Sequence, residues 1–194
     1  RRDAGPLERW DSSGSDEMKR VAMVAAIAAA AGLGGCATPE QNARYMAGHY
    51  RAQADIMNPA GEKIGTAVAE EVEGAIRVIV EAGNLPAGPH GTHVHAVGKC
   101  AGPDFASAGP HWNPTAHQHG KENPAGPHAG DMPNLDIDAG GRDRTIFTLP
   151  GGTYQQLLDE DGAAIVIHAN ADDYKTDPSG NSGGRIACGV FQAM

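Results

Sequence analysis

The chain has 194 residues and carries 24 acidic against 15 basic side chains, which gives a net charge of −9 at pH 7 with the histidines neutral. This charge argues against nucleic acid as a partner, because binding to phosphates needs clustered basic residues. It does not exclude an anionic substrate, since a few cations focused at one cleft can attract an anion.

The N-terminal segment has the layout of an export signal rather than of a folded domain. Residues 1–17 are polar and patternless, and we interpret them as a non-native upstream extension. Residues 18–35 begin with Met18, Lys19 and Arg20 and continue with an apolar run of 15 residues, as a secretory signal peptide does. This run is too short to span a bilayer, for which about 20 residues are needed.

A candidate lipid attachment site follows the signal peptide. The sequence Leu33-Gly34-Gly35-Cys36 resembles the bacterial lipoprotein cleavage box, in which the cysteine is acylated. We therefore expect an exported, periplasmic protein that contacts the membrane only through a lipid on Cys36, with residues 36–47 as a linker. The alternative is ordinary cleavage a few residues further on, with Cys36 lost or incidental.

The remaining residues, 48–194, form one predicted domain with many strands and almost no helix. Short runs of alternating or β-branched apolar residues indicate the strands. Eight strands in one domain predict an all-β sandwich or barrel. The predicted strands are 49–57, 63–71, 75–82, 91–97, 134–138, 144–149, 164–169 and 185–192.

Two of the connections between these strands are long. Turn residues at 58–61, 83–86 and 140–141 make short connections. The segments 98–133 and 170–184 are much longer and are rich in Gly, Pro, Asn and Asp. Loops of this length without secondary structure are usually functional or disordered, so we expect the function of the domain in them.

Six histidines and one aspartate have spacings that suit two adjacent metal ions. His93 and His95 flank Val94 in a predicted strand, so its period of two places both imidazoles on one face. One such pair alone is weak evidence, but most of the others follow in a loop segment that can wrap around an ion. The candidate ligands are His93, His95, His111, His119, His128, Asp131 and His168.

The cysteines indicate one disulfide bond. With Cys36 lipidated, Cys100 and Cys188 remain, and an even pair in an exported protein predicts a bridge. Closing so long a loop would contribute about 4 to 5 kcal/mol in the loop-entropy model. Two free buried thiols are the alternative.

Six segments of the domain, taken in order, resemble the copper-zinc superoxide dismutase family, and the resemblance extends over about residues 48–192. The implied fold is an all-β, eight-stranded Greek-key β-barrel or sandwich with two long functional loops. The segments are Gly91–His95, Ser107–Pro114, His119–Gly120, Pro127–Asp131, Val166–Ala169 and Gly184–Val190.

The resemblance implies one copper and one zinc ion per chain, with His111 bridging them through its two ring nitrogens. His117 could compete for zinc, but the family spacing favours His119. His90 matches a family histidine that braces the copper-binding strand and is not a ligand. The implied copper ligands are His93, His95, His111 and His168, and the implied zinc ligands are His111, His119, His128 and Asp131.

Three further residues have roles implied by the resemblance. Asp172 matches the aspartate that bridges a copper ligand and a zinc ligand by hydrogen bonds, with plain solvation in the loop as the alternative. Arg185 matches the arginine that guides superoxide, and the alternative is a structural arginine bonded to backbone carbonyls. Lys175 could add to the positive potential, although the same loop is rich in aspartate.

The implied function is dismutation of superoxide to oxygen and hydrogen peroxide, which would protect the cell envelope. His111 would take up a proton and deliver it to the peroxide, and Arg185 would attract the anion. A second hypothesis is an exported copper or zinc carrier, or a chaperone, on the same scaffold without turnover. A copper-only variant is disfavoured because the zinc ligands are complete. Both a monomer and a homodimer fit the sequence.

Overall fold

The computed structural model describes residues 50–194. The predicted upstream extension, signal peptide, Cys36 and the linker lie outside the described residues. The strands are β1 (Arg51–Met57), β2 (Lys63–Val72), β3 (Ala75–Gly83), β4 (Gly88–His90), β5 (Thr92–His95), β6 (Leu135–Ile137), β7 (Arg142–Thr148), β8 (Ala164–His168), β9 (Arg185–Val190) and β10 (Gln192–Ala193). One short helix, α1, is formed by Tyr154–Leu157, and a 3-10 turn by Ala106–Ala108.

The prediction of an all-β domain is confirmed, because every predicted run contains a strand. The strand predicted at 91–97 is shorter and is preceded by β4, whose Gly-Pro sequence does not read as a strand. The run 185–192 divides at Phe191 into β9 and β10. No helix within residues 50–194 is long and apolar enough to span a membrane.

The strands form a curled antiparallel sheet in the order β5-β8-β9-β1-β2-β3-β7, in which β10 also pairs with β1. A separate two-stranded sheet consists of β4 and β6. The neighbours β9 and β1 are distant in sequence, as are β3 and β7, so the chain crosses between them as in a Greek key. This order places β5 beside β8, and both strands carry candidate ligands.

The first hairpins follow directly from sequence pattern and turn chemistry. In β1, Ala52, Ala54 and Ile56 are buried while their neighbours are more exposed, as the alternation of side chains along a strand requires. The tight turn between β2 and β3 consists of Glu73 and Gly74, with φ angles of 53° and 82°. Two positive φ angles match the twist of a two-residue hairpin.

Strand β8 is covered on both faces, unlike β1. Ile165 and Ile167 belong to the main core, whereas Val166 packs in a second cluster with Phe105 and Cys188. Because Phe105 belongs to the first long loop, this loop covers the outer face of the strand.

The predicted disulfide is present and fixes the first long loop to the sheet. Cys100 in the loop is bonded to Cys188 in β9, across a sequence separation of 88 residues. Closure of a loop this long contributes about 4 to 5 kcal/mol in the entropy model. The loop that carries most candidate ligands is therefore tied covalently to the strand that carries Arg185.

Candidate metal centre

The metal centre is assembled where the first long loop returns to β5. His93 and His95 lie on this strand, and the loop forms isolated bridges that pair His95 with His111 and His93 with Asp131. The adjacent strand, β8, ends with His168. Residues that are far apart in sequence are thus fixed next to one another by backbone pairing.

Glycine makes this return of the loop possible. The amide of Val94 donates to the carbonyl of Gly130 at 2.9 Å, and the amide of Trp112 donates to the carbonyl of Val94 at 2.8 Å. A Cβ atom on Gly130 would lie 2.3 Å from the Val94 carbonyl oxygen. The backbone could not approach so closely with any larger residue at this position.

Four ring nitrogens, all buried and without a hydrogen-bond partner, face one another. They are the only buried side-chain nitrogen or oxygen atoms in residues 50–194 that lack a partner. Potential ligand atoms of the four histidines lie within 4.8 Å of one another. Buried polar atoms without partners are costly, and four imidazoles suit copper, so these residues fit that metal. The atoms are His93 Nδ1, His95 Nε2, His111 Nε2 and His168 Nε2.

The second nitrogen of each strand histidine is held by a hydrogen bond. His93 Nε2 lies 2.8 Å from Asp172 Oδ2. His95 Nδ1 lies 2.8 Å from the carbonyl oxygen of Gly109, and His168 Nδ1 lies 3.2 Å from that of Gly183. These acceptors require a proton on the outer nitrogen, so the nitrogen directed into the cluster keeps its lone pair for a metal.

A second set of ligands surrounds Asp131. Its Oδ1 lies 2.9 Å from His111 Nδ1, 3.0 Å from His119 Nδ1 and 3.3 Å from His128 Nδ1. A potential ligand atom of His93 also lies within 4.8 Å of those of His111, His119 and Asp131. However, Nδ1 of His93 faces the first cluster and its Nε2 contacts Asp172, so we do not count His93 in the second set. Three imidazoles with one carboxylate are an ordinary set for tetrahedral zinc, and the residues fit that metal.

Electrostatics differ between the two sets. Burial lowers the pKa values of His93, His95 and His168 to about 3, 2 and 4, so these rings are neutral at pH 7. Burial also acts to lower the pKa of His119, but hydrogen bonds to Asp131 and Asp172 outweigh it and raise the pKa to about 9. Hydrogen bonds from three histidines overcome the effect of burial on Asp131 and hold its pKa far below the usual range.

The sequence matches the family model described as copper/zinc superoxide dismutase over residues 63–191. The chain belongs to this family. It is 46% identical over 153 residues to Cu-Zn superoxide dismutase 1 of Aquifex aeolicus (strain VF5), covering 76% of this chain and 90% of that one. It is 41% identical over 151 residues to the superoxide dismutase-like protein YojM of Bacillus subtilis (strain 168), covering 74% and 76%.

Solved structures show the same family fold. A SOD-like protein from Bacillus subtilis is 40% identical and has a TM-score of 0.67, covering 71% of this chain and 96% of that chain. The Cu/Zn superoxide dismutase from Brucella abortus is 28% identical with a TM-score of 0.61, covering 73% and 99%. The clock protein EA4 is 33% identical with a TM-score of 0.63, covering 76% and 96%.

Asp172 lies between the two ligand sets of this dismutase-family chain. Its Oδ2 contacts His93 Nε2 at 2.8 Å, and its Oδ1 contacts His119 Nε2 at 3.0 Å. The side chain of Asn134 forms hydrogen bonds with both the backbone amide and the carbonyl of Asp172. The amide of Tyr174 donates to Oδ1 of Asp172. No sequence pattern predicts these contacts, because that of Asn134 depends on how its segment meets the second long loop and that of Tyr174 on the turn within this loop.

Arg185 lies beside the copper-type set. Its guanidinium donates to the carbonyls of Phe105 and Gly109, each at 2.7 Å. The Gly109 carbonyl also contacts His95 Nδ1, so a single oxygen connects the arginine with a candidate copper ligand. Arg185 therefore makes the carbonyl contacts expected of a structural arginine. Its role in guiding superoxide stays a prediction.

Among residues 50–194, the other two histidines, His90 and His117, and Lys175 lie outside both sets. His90 is buried, and its ring nitrogens contact the carbonyls of His168 and Pro86 at 2.7 and 2.9 Å, which agrees with a bracing role. His117 is exposed and contacts the carbonyl of Pro127 instead of Asp131. Lys175 forms an ion pair with Glu122 at 3.1 Å, which reduces the positive charge that it offers to a substrate.

Proposed function

We propose that the protein is a copper-zinc superoxide dismutase that converts two superoxide anions and two protons into oxygen and hydrogen peroxide. The observation that carries the proposal is the cluster of four partnerless imidazole nitrogens, which lies next to a complete set of three histidines and one aspartate. Copper bound by the first set would supply one-electron redox chemistry, and zinc bound by the second has no redox role.

His111 is the residue that connects the two sets. Its Nδ1 lies 2.9 Å from Asp131 Oδ1 in the zinc-type set, while its Nε2 belongs to the partnerless cluster. One lone pair cannot hold a metal and a proton at once, so Nε2 could carry a proton and give it to the peroxide only while it is free of copper. His111 would therefore serve both sets as a ligand and would also carry a proton.

Arg185 would attract and orient the substrate. Its two hydrogen bonds to carbonyls fix the guanidinium near His95, and the whole chain is acidic, with a net charge of −9. A fixed positive charge close to the copper-type set would concentrate a small anion there. Guidance of this kind weakens as salt screens the charge.

The test combines metal analysis with an assay of superoxide consumption on the purified protein. We expect one copper and one zinc per chain and rapid consumption of superoxide, which removal of copper should abolish. His117→Ala is a matched control, because this exposed histidine contacts neither set and should leave both properties near normal.

The alternative function is an exported copper or zinc carrier or chaperone without turnover. The observation behind it is that two similar chains are described not as superoxide dismutases but as a superoxide dismutase-like protein and a clock protein. Completeness of the ligand sets and retention of Arg185 support the enzyme instead. A fully metal-loaded protein that is inert toward superoxide would favour the carrier.

The place of action that we propose is the periplasm, with a lipid on Cys36 as membrane anchor and protection of the cell envelope as the role. The signal-like sequence of residues 18–35 supports export, and the Cys100–Cys188 disulfide suits an oxidising compartment. Labelling with a radioactive fatty acid in a bacterial host should mark the wild type and not Cys36→Ser. An unlabelled and freely soluble wild type would contradict the anchor.

A further inference from the structure

His128 differs from the other histidines of the metal centre in the partner of its outer ring nitrogen. The outer nitrogens of His93 and His119 contact the buried carboxylate of Asp172. Those of His95 and His168 contact backbone carbonyls, and both nitrogens of His111 face the ligand sets. In a metal-bound histidine the second nitrogen is almost always held by a carboxylate, a carbonyl or water. His128 Nε2 should therefore also have a group that holds it.

A carboxylate of the second long loop lies close to His128 Nε2. Asp177 Oδ1 lies 3.8 Å from this nitrogen, which is a charge contact rather than a hydrogen bond. The same oxygen accepts a hydrogen bond from the backbone amide of His119 at 2.6 Å. One carboxylate oxygen thus contacts both of the histidines that belong to the zinc-type set alone, His119 and His128.

Other contacts hold the segment of Asp177 close to the zinc-type set. The amide of Glu122 donates to the carbonyl of Tyr174 at 2.9 Å, and the side chain of Asn123 donates to the carbonyls of both His119 and Lys175, at 3.0 and 3.4 Å. At Gly120 the two loops touch, because a Cβ atom there would lie 2.2 Å from the Tyr174 carbonyl oxygen. The contacts of Asp177 are therefore part of a packed junction between the loops.

We propose that Asp177 is a positioning residue for zinc, which fixes the ring of His128 and the backbone of His119 through one carboxylate oxygen. The inference rests on the proposed zinc site. Its effect should be smaller than that of Asp172, because the Asp177 side chain is 47% exposed while that of Asp172 is 1% exposed, and water screens the exposed charge.

The experiment measures the zinc affinity of the full metal-loaded protein by competition with a chromophoric chelator. Loss of a group that orients a ligand costs about 10- to 100-fold in metal affinity, and partial exposure places Asp177→Ala near the lower end, about tenfold. Asp177→Asn keeps an acceptor for the His119 amide without the charge. The zinc affinity of this variant should therefore lie between those of the wild type and Asp177→Ala. Copper affinity should change by less than about twofold, since Asp177 contacts no residue that belongs only to the copper-type set.

Asp173→Ala is the matched control, because Asp173 is an exposed aspartate of the same loop. Within residues 50–194 its side chain accepts hydrogen bonds from Lys175, Thr176 and Asn181, which belong to that loop. Cobalt placed in the zinc site gives a second readout, since its visible spectrum should change in Asp177→Ala and not in the control. Unchanged zinc affinity in Asp177→Ala, or equal losses of zinc and copper, or an equal zinc loss in Asp173→Ala, would overturn the inference. A wild type that binds no zinc would overturn the zinc site itself, and the inference with it.

Discussion

The copper-type and zinc-type halves of the metal centre are built by different means. The copper-type half rests on the sheet, since His93, His95 and His168 lie on the neighbouring strands β5 and β8. The zinc-type half rests on a loop, since His119 and His128 lie between strands. Backbone pairing positions the first group, whereas the second depends on side chains.

The partners of the ligands differ in the same way. Two of the strand histidines are oriented by neutral backbone carbonyls, those of Gly109 and Gly183. The loop histidine His119 is held by two carboxylates, those of Asp131 and Asp172. Neutral acceptors leave a buried ring uncharged, whereas the two carboxylates around His119 stabilise a protonated ring. His93 contacts only one carboxylate, that of Asp172, and burial outweighs this contact and keeps the ring neutral. The sheet therefore provides a site ready for metal, and in the loop site zinc must displace a proton.

The largest expected effect comes from removing the residue that the two halves share. His111→Ala should weaken both copper and zinc binding and abolish measurable superoxide consumption, because His111 offers one nitrogen to each set. Metal content after dialysis and the superoxide assay measure this, with His117→Ala as the control. If His111→Ala lost one metal and kept the other at full occupancy, the two halves would be independent and the bridge would be wrong.

Acid should separate the two halves by their proton competition. The raised pKa of His119, about 9, means that zinc displaces a proton at all lower pH values, whereas His93, His95 and His168 stay neutral down to about pH 4. Zinc affinity should therefore fall about tenfold per pH unit, or about 100-fold from pH 7.5 to 5.5, while copper affinity stays nearly constant. Chelator titrations across this range measure both. If copper and zinc affinity fell by the same factor over this pH range, the proposed difference in proton competition between the two halves would be wrong.

Arg185 tests the copper-type half without changing its ligands, since this residue binds no metal. At low salt Arg185→Glu should reduce the rate of superoxide consumption by about tenfold and Arg185→Lys by much less, because lysine keeps the charge but loses the planar fork. Metal content should be unchanged in both variants. Salt should slow the wild type more steeply than Arg185→Ala. Equal salt slopes would show that other groups attract the anion and that Arg185 only bonds the Phe105 and Gly109 carbonyls.

The same division between sheet and loop explains which features could be predicted from the sequence alone. Strands such as β1 and β8 follow from apolar runs, and the pair His93 and His95 follows from the period of a strand. The ligands beyond that pair were assigned through a resemblance, because loop geometry has no period from which positions could be derived. β4 was missed since glycine and proline weaken the strand pattern.

The groups that orient the ligands were mostly beyond prediction. Asn134 and Asp172 are 38 residues apart in sequence, and their pairing depends on how the two long loops pack. The Gly109 carbonyl carries no side-chain signal at all, although it contacts both His95 and Arg185. Asp177 stands in a loop with several other aspartates, and its contacts with His119 and His128 distinguish it from them only in the folded chain.

The most direct test of the two-part centre is anomalous X-ray diffraction from crystals of the metal-loaded protein, recorded at the copper and zinc absorption edges. We predict copper among His93 Nδ1, His95 Nε2, His111 Nε2 and His168 Nε2, and zinc among the Nδ1 atoms of His111, His119 and His128 with Asp131 Oδ1. Either metal bound outside these atoms, or both metals shared between the two positions, would contradict the account.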